Sequence, residues 1–385
     1  MELNKKKIRP KRFMFLSCGG KNTGSYLRIW YLARNLEKQG YRTDFLPALD
    51  SMPFKLDFIL TLFYYPLLFL FRPVPDFLVI GKAYPNALVP ALAARFFRAR
   101  VVLDIDDYDG AYHRGFLGFF ISTIQKILPF FAHVITTHNQ TLMADLKKAY
   151  PKKARDNRIL FLDQGVDTDF TGRPEKKDSQ DRSGLADLPD RLPGDKKVVL
   201  YMAHMNIASE FPLICNIFRE AQKMVPALFL LAAGGGPDLE KFKALAGTMG
   251  LEKHILFTGP FRSRDLPDLH RAADLCLVYY SKNQANKCRV SMKAREHICF
   301  GLPVVCNEFA AENIGDLVFK CSDSCSSAAR ALAELALNMD DPVFKSRIIQ
   351  KCRTAASIGK QRFSWFSISR DFVNDLKRIF KYGII

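Results

Sequence analysis

Asp104, Asp106, Asp107 and Asp109 crowd the end of one apolar run, VVLDIDDYDG (101–110). Carboxyl groups this close repel one another when ionised, which drives their proton affinities apart unless a cation or a metal intervenes. Three chemistries suit the pattern. Asp104 could be an aspartyl nucleophile with Asp106 as its acid–base, the D-x-D could hold a divalent metal on a diphosphate, or a buried strand could end in a polar loop facing a cleft. A second segment, NQANKCRVSMKAREHICFGLPVVCNE (283–308), sets Lys287, Arg289, Ser291 and Lys293 ahead of Glu296. On a helix over 291–300, Met292 and Glu296 lie one turn apart with Lys293 beside them. A helix start disfavours cations, so these bases point to a phosphate pocket; a solvated basic face is the plainer reading. Two glycine clusters precede predicted helices: SCGGKNTGS (17–25), with Gly19, Gly20 and Asn22, and LAAGGGPDLEKF (231–242), with Gly234 and Gly235. Bare backbone at a helix start favours an anion, although a tight turn uses the same residues. Neither cluster is a P-loop, because the G-K-[ST] ending is missing.

The elements that must position these groups alternate along the chain. Strands are predicted at 12–17, 42–47, 76–81, 100–105, 133–138 and 158–163, with helical segments between them, including 25–40 and 118–131. The stretch 171–197 is charged, rich in Pro and Gly and without apolar periodicity, which places a linker at 176–196. Alternation then restarts with strands at 198–203, 228–236, 255–259, 275–280 and 303–306, followed by helices to the end. Alternating strands and helices specify a parallel, doubly wound sheet. The expected architecture is α/β with two Rossmann-like domains, 1–175 and 197–363, facing an interdomain cleft. Ligands in such sheets bind beyond the carboxyl ends of the strands.

A length of 385 residues suits two domains. Lys and Arg outnumber Asp and Glu by 57 to 39, a net charge of +18. That sign favours phosphorylated substrates, anionic lipid or polyanions. The basic residues are scattered over both halves with no nucleic-acid reading motif, so no nucleic-acid partner is expected. Nine cysteines without a C-x-x-C disfavour a zinc ribbon or redox pair and fit a reducing cytoplasm. The basic N-terminus leads into an apolar run too short for a signal peptide. One segment, FILTLFYYPLLFLF (58–71), falls short of the roughly 20 residues that span a bilayer and carries Pro66 in its middle. It is either a buried helix or an apolar surface resting on a membrane.

Taken in order, strand–GG–helix, DQGVDTDF (163–170), LYMAH (200–204), AAGGGPD, LFTGPF (256–261) and K-x-x-E-H-x-x-x-G-x-P-V-V (293–305) resemble retaining GT-B glycosyltransferases of family 4. The likeness covers nearly the whole chain. FSWFSISRDF (363–372) resembles the family's closing helix, which implies that 364–385 crosses back to the first domain. The resemblance implies a nucleotide diphosphate sugar, UDP- or GDP-linked, as co-substrate, with no other cofactor and no metal ligands. It implies donor binding by Gly19, Gly20, Asn22, His204, Gly234, Gly235, Ser291 and Glu296, the last on the ribose. Three positions depart from the pattern. The usual phosphate-binding arginine falls on His204, its lysine partner on or near Ser209, and the first glutamate of E-x7-E on Cys288. A subgroup with N-[RK]-x-R-x-S-x-K-x-x-E resembles Asn286–Glu296, which makes Arg289 and Lys293 the substitute cations. Asp106 and Asp107 match the family's His-Asp pair near the transferred sugar. Asp104 and Asp109 are expected to be structural, pairing with Arg100 or Arg114 or capping the next segment.

A dehalogenase-type phosphatase needs a later acidic pair at a strand end, and FLDQ, LAAGGG and VCNE do not supply one. A metal-dependent transferase needs a single domain. The expectation is therefore a metal-independent, retaining transferase acting on a glycan or lipid-linked acceptor. It would work peripherally at the cytoplasmic face of an anionic membrane, in surface polysaccharide or glycolipid synthesis. The alternative is a GT-B protein that has kept binding and lost catalysis.

Overall fold

A computed structural model describes residues 11–18, 24–46, 54–113, 115–168, 185, 187–283 and 286–380. The chain forms two compact units. The first comprises Met1–Gly165 with Lys287–Arg289 and Trp365–Ile385, and the second Val166–Asn286 with Val290–Ser364. The expected linker at 176–196 lies outside the described residues except for 185 and 187–196.

The first unit runs β1 (Arg12–Ser17), α1 (Gly24–Lys38), β2 (Arg42–Leu46), α2 (Phe54–Phe71), β3 (Phe77–Gly81), α3 (Leu88–Phe96), β4 (Arg100–Asp104), α4 (Gly115–Phe131), β5 (Val134–Thr137), α5 (Gln140–Ala149), α6 (Pro151–Arg155) and β6 (Ile159–Phe161). Its strands pair in parallel in the order β2-β1-β3-β4-β5-β6. Every residue of β3 and β5 is buried. Strands covered on both faces need apolar side chains on both, which is why they read as unbroken hydrophobic runs.

The second unit runs β7 (Lys197–Met202), α7 (Phe211–Met224), β8 (Leu228–Ala233), α8 (Leu239–Thr248), β9 (Ile255–Gly259), α9 (Leu266–Arg271), β10 (Leu275–Val278), α10 (Met292–Phe300), β11 (Val304–Asn307), β12 (Phe319–Cys321), α11 (Cys325–Asn338) and α12 (Pro342–Arg362). Its sheet is also parallel, in the order β12-β11-β10-β7-β8-β9. The edge strand β12 departs from the sequence reading, which had only helices after 306. Three residues with one buried side chain carry too little pattern to reveal a strand. A last helix, α13 (Trp365–Phe380), belongs to the first unit, where Trp365, Phe372 and Leu376 join Phe13, Ile29 and Leu32 in one core. All nine cysteines are free and seven of them are buried.

Both sheets have a point where the strand order reverses, between β1 and β3 in the first and between β7 and β10 in the second. Loops leaving such strands diverge, so a crevice opens at their carboxyl ends. The aspartate cluster follows β4, beside that point in the first sheet, and the Lys293–Glu296 segment follows β10, at it in the second.

Candidate functional site

In the first unit the four aspartates separate into different environments. Asp104, the last residue of β4, is held by Arg28 of α1, whose Nε and Nη2 donate to its two oxygens at 2.7 and 3.1 Å. Thr136 adds a hydroxyl at 2.6 Å. The same guanidinium donates to the carbonyls of Leu162 and Asp163 at 2.6 and 2.8 Å, so it stitches α1 to the ends of β4 and β6. Both residues are almost fully buried, and a buried charge persists only when paired in this way. This corrects the expected partners: Arg100 lies over the Phe380 ring instead, and Arg114 is outside the described residues. A carboxylate so engaged cannot attack a phosphate, which removes the phosphatase reading.

The centre of the cluster is Lys82, which the sequence reading missed. It follows β3 in a left-handed conformation (φ 73°) that non-glycine residues seldom adopt. Its ammonium bonds Asp109 and lies 3.3 Å from Asp106. Asp106 also accepts the Ser25 hydroxyl at 2.6 Å, at the start of α1. Burial alone would raise the Asp106 pKa, but Lys82, His138 and Ser25 outweigh it and hold the group at about 2. Asp107 is the opposite case. Burial and the Asp106 charge push it up to about 8, against the opposing pull of Lys82 and Arg289. Asp109 is raised to about 6, chiefly by burial. Adjacent carboxyls are thus pushed in opposite directions, Asp106 toward its ionised form and Asp107 toward its protonated form. That is the arrangement in which two acids take different roles at one pH. Arg289 belongs to this unit and acts on Asp107. Cys288 beside it is buried in the same core.

The second unit is organised by backbone. Gly234 has φ 143°, and a Cβ there would lie 1.7 Å from the Ala203 carbonyl oxygen. Met205 N donates to Gly235 O and Gly234 N to Gly259 O, both at 3.0 Å, lacing together the loops after β7, β8 and β9. The glycines therefore have a packing reason of their own. His204 stands exposed after β7. Ser209 is buried, its hydroxyl donating to Asn206 O at 2.6 Å. Glu210, also unread in the sequence, accepts from Ser281 N at 2.9 Å and from Asn286 Nδ2 at 3.2 Å. It joins the loops after β7 and β10 where the strand order reverses.

Ser291 is the N-cap of α10, its side chain accepting from Ala294 N at 3.0 Å. In the first turn, Lys293 Nζ lies 3.0 Å from Glu296 Oε2 and 5.5 Å from the centre of the Phe261 ring. Glu296 is buried, while Lys293 keeps a quarter of its side chain in solvent. The following His297 is fully buried with Nδ1 2.9 Å from His270 Nε2, which makes it a core residue. The structure thus pairs Lys293 with Glu296, leaves Ser291 as the cap of their helix, and separately brings Arg289 to Asp107 beside Asp106. Gly19, Gly20 and Asn22 lie outside the described residues.

Residues 189–335 match the family model described as Glycosyl transferases group 1. A 197-residue stretch is 27% identical to the GDP-mannose-dependent alpha-(1-6)-phosphatidylinositol monomannoside mannosyltransferase of Mycolicibacterium smegmatis, covering 51% of this chain. The chain spans about half the length of that curated relative, 48%. Among solved structures, Anabaena HepE in complex with UDP superposes with a TM-score of 0.69 at 15% identity, over 95% of this chain and all of that one. Sucrose-phosphate synthase from Thermosynechococcus elongatus gives 0.73 at 13%, over 97% of this chain and 100% of the other. A glycosyltransferase from Rickettsia africae gives 0.67 at 12%, over 98% and 100%. The fold is therefore GT-B: two parallel six-stranded α/β units.

Proposed function

We propose that the protein is a retaining, metal-independent glycosyltransferase of family 4, moving a sugar from a nucleotide diphosphate sugar to a lipid-linked or glycan acceptor. The observation that carries this reading is the family match over 189–335, because that stretch contains α10 with its paired Lys293 and Glu296. In this reading Glu296 binds the nucleotide ribose, and Lys293 and Arg289 supply positive charge to the diphosphate. A cation placed where the leaving group gains charge lowers the barrier to its departure. Gly19, Gly20, Asn22, His204, Gly234, Gly235 and Ser291 complete the donor contacts. Asp106 accepts a hydroxyl from the transferred sugar or the acceptor, and Asp107 donates to one. GDP-mannose is the first donor to test, since the curated relatives use it; UDP-glucose is the second. The work is placed at the cytoplasmic face of an anionic membrane, in surface glycan or glycolipid synthesis.

A ligand bound only by the folded state raises the melting temperature. GDP-mannose or UDP-glucose should do so for the wild type, and Lys293→Ala and Glu296→Ala should abolish both the shift and turnover. Full turnover in both variants would sink the site assignment. A second reading, binding without catalysis, is favoured by Cys288 in the core and by the Ser209 hydroxyl spent on a carbonyl. A donor shift in the wild type with no transfer to any lipid or glycan acceptor would select it.

A further inference from the structure

The first unit leaves a run of phenylalanines in water. Phe63 and Phe71 of α2 are 66% and 82% exposed, Phe96 of α3 is 82%, and Phe116, Phe119 and Phe130 of α4 are 81%, 70% and 67%. α3 packs against both α2 and α4, so the six rings lie on one layer of neighbouring helices. Soluble proteins seldom keep a large contiguous apolar patch uncovered. What covers it is indicated by charge. Arg72, Arg95, Arg98 and Lys126 are exposed among these rings, and neither α3 nor α4 contains an acidic residue. Arg95 Nη1 donates to Phe131 O at 3.3 Å, which fixes one of these cations at the end of α4. A second copy of this face would bring like charges together, whereas an anionic headgroup layer offers apolar depth beneath negative charge. No helix among the described residues is long and apolar enough to cross a membrane. The contact is therefore interfacial, the regime in which affinity grows with buried apolar area and with attraction to anionic lipid.

We propose that the α2–α3–α4 layer seats the protein on an anionic lipid bilayer, with the phenylalanines at the headgroup–acyl boundary and the arginines against lipid phosphates. This rests on the membrane setting proposed above and not on the donor chemistry. It places the anchor well beyond the apolar segment 58–71, since most of the exposed rings belong to α3 and α4.

The test is cosedimentation of the full chain with phosphatidylcholine vesicles, with and without phosphatidylglycerol. Wild type should bind the anionic vesicles. Phe96→Ser with Phe119→Ser should lower that partition about tenfold or more. Arg95→Gln with Arg98→Gln should lower it on anionic vesicles and flatten its salt dependence. Both double variants should keep the wild-type melting temperature and donor response. Wild type that stays off anionic vesicles overturns the proposal, as does unchanged binding by the phenylalanine variant. Binding that survives those substitutions and vanishes on deleting residues 1–10 also overturns it, by moving the contact to the tail. A wild-type dimer in light scattering that the phenylalanine substitutions dissolve, without vesicle binding, assigns the face to a second copy and overturns it too. Wild-type vesicle binding lost with the rings, in a protein without any donor response, supports this surface and refutes the transferase reading alone.

Discussion

Both units are six-stranded parallel sheets with one reversal of strand order, between the first and third strands in one and the first and fourth in the other, and they use that reversal differently. In the first, charge is buried: Lys82 sits among Asp106, Asp107 and Asp109, and Arg28 is spent on Asp104, strand-end carbonyls and Gln164. In the second, the corresponding loops are laced by backbone bonds around Gly234 and Gly235, and Lys293 and His204 reach solvent. Burial gives the first region control over protonation, because a carboxyl removed from water responds to every neighbouring charge. Bare backbone and accessible cations give the second the means to approach a polyanion. A single parallel fold thus supplies one region that sets proton states and another that presents positive charge.

Three substitutions test that contrast. The largest effect is expected from Lys82→Met, which removes the cation from a buried carboxylate cluster. Breaking a buried pair by deleting one partner costs roughly 3–5 kcal/mol. Chemical denaturation should show that loss at neutral pH and a smaller one as pH falls toward 2, where Asp106 also takes up its proton in the folded state. A neutral-pH cost under about 1 kcal/mol would mean that the first region is not organised by charge. Next comes Gly234→Ala, whose new Cβ meets the Ala203 carbonyl in a backbone conformation L side chains avoid. A loss of roughly 2–4 kcal/mol is expected. Near-neutral stability with donor binding lost would instead make Gly234 a ligand contact rather than a packing one.

The third substitution separates the two carboxyls of the first region. Asp107 is raised to about 8, above the unfolded carboxyl value, so the folded state holds a proton that the unfolded chain has released. Stability should therefore fall as pH rises from about 4 to about 8. Asp107→Asn removes that slope and should raise the melting temperature at pH 8 while matching wild type near pH 4. Asp106, lowered to about 2, has the opposite sign: its contribution is present above the unfolded carboxyl value and is lost as pH falls toward 2. Parallel stability–pH curves for wild type and Asp107→Asn would remove the proposed donor role.

Much of this was legible in the residues. Unbroken runs such as FLVI and VVLD announced strands buried on both faces, and Gly40, with φ 87°, marked the end of α1. Lys293 and Glu296 came together because their three-residue spacing on a helix makes them neighbours. Lys82 was not legible, because GKAY after a strand carries no motif. Its importance comes from β4 lying beside β3, which sets Asp106 and Asp109 around it. Glu210 escaped for a similar reason, its partners at 281–286 being about seventy positions away. The apolar 58–71 segment was readable as helix but left open between buried and exposed, and the structure divides it, with Phe69 in the core and Phe63 and Phe71 in solvent, since hydrophobicity records what a side chain avoids and not whether the fold covers it.

The sequence by itself determined the two alternating α/β units, the local pairing on α10 and the aspartate-rich end of β4, because each follows from periodicity within one element. Only the tertiary structure decided how each aspartate is engaged. Asp104 and Asp106 are two residues apart in one motif, yet one is consumed by Arg28 and the other poised by Lys82 and Ser25. Proton affinity depends on burial and on charges brought in by other strands and helices, and no spacing along a single chain segment encodes either.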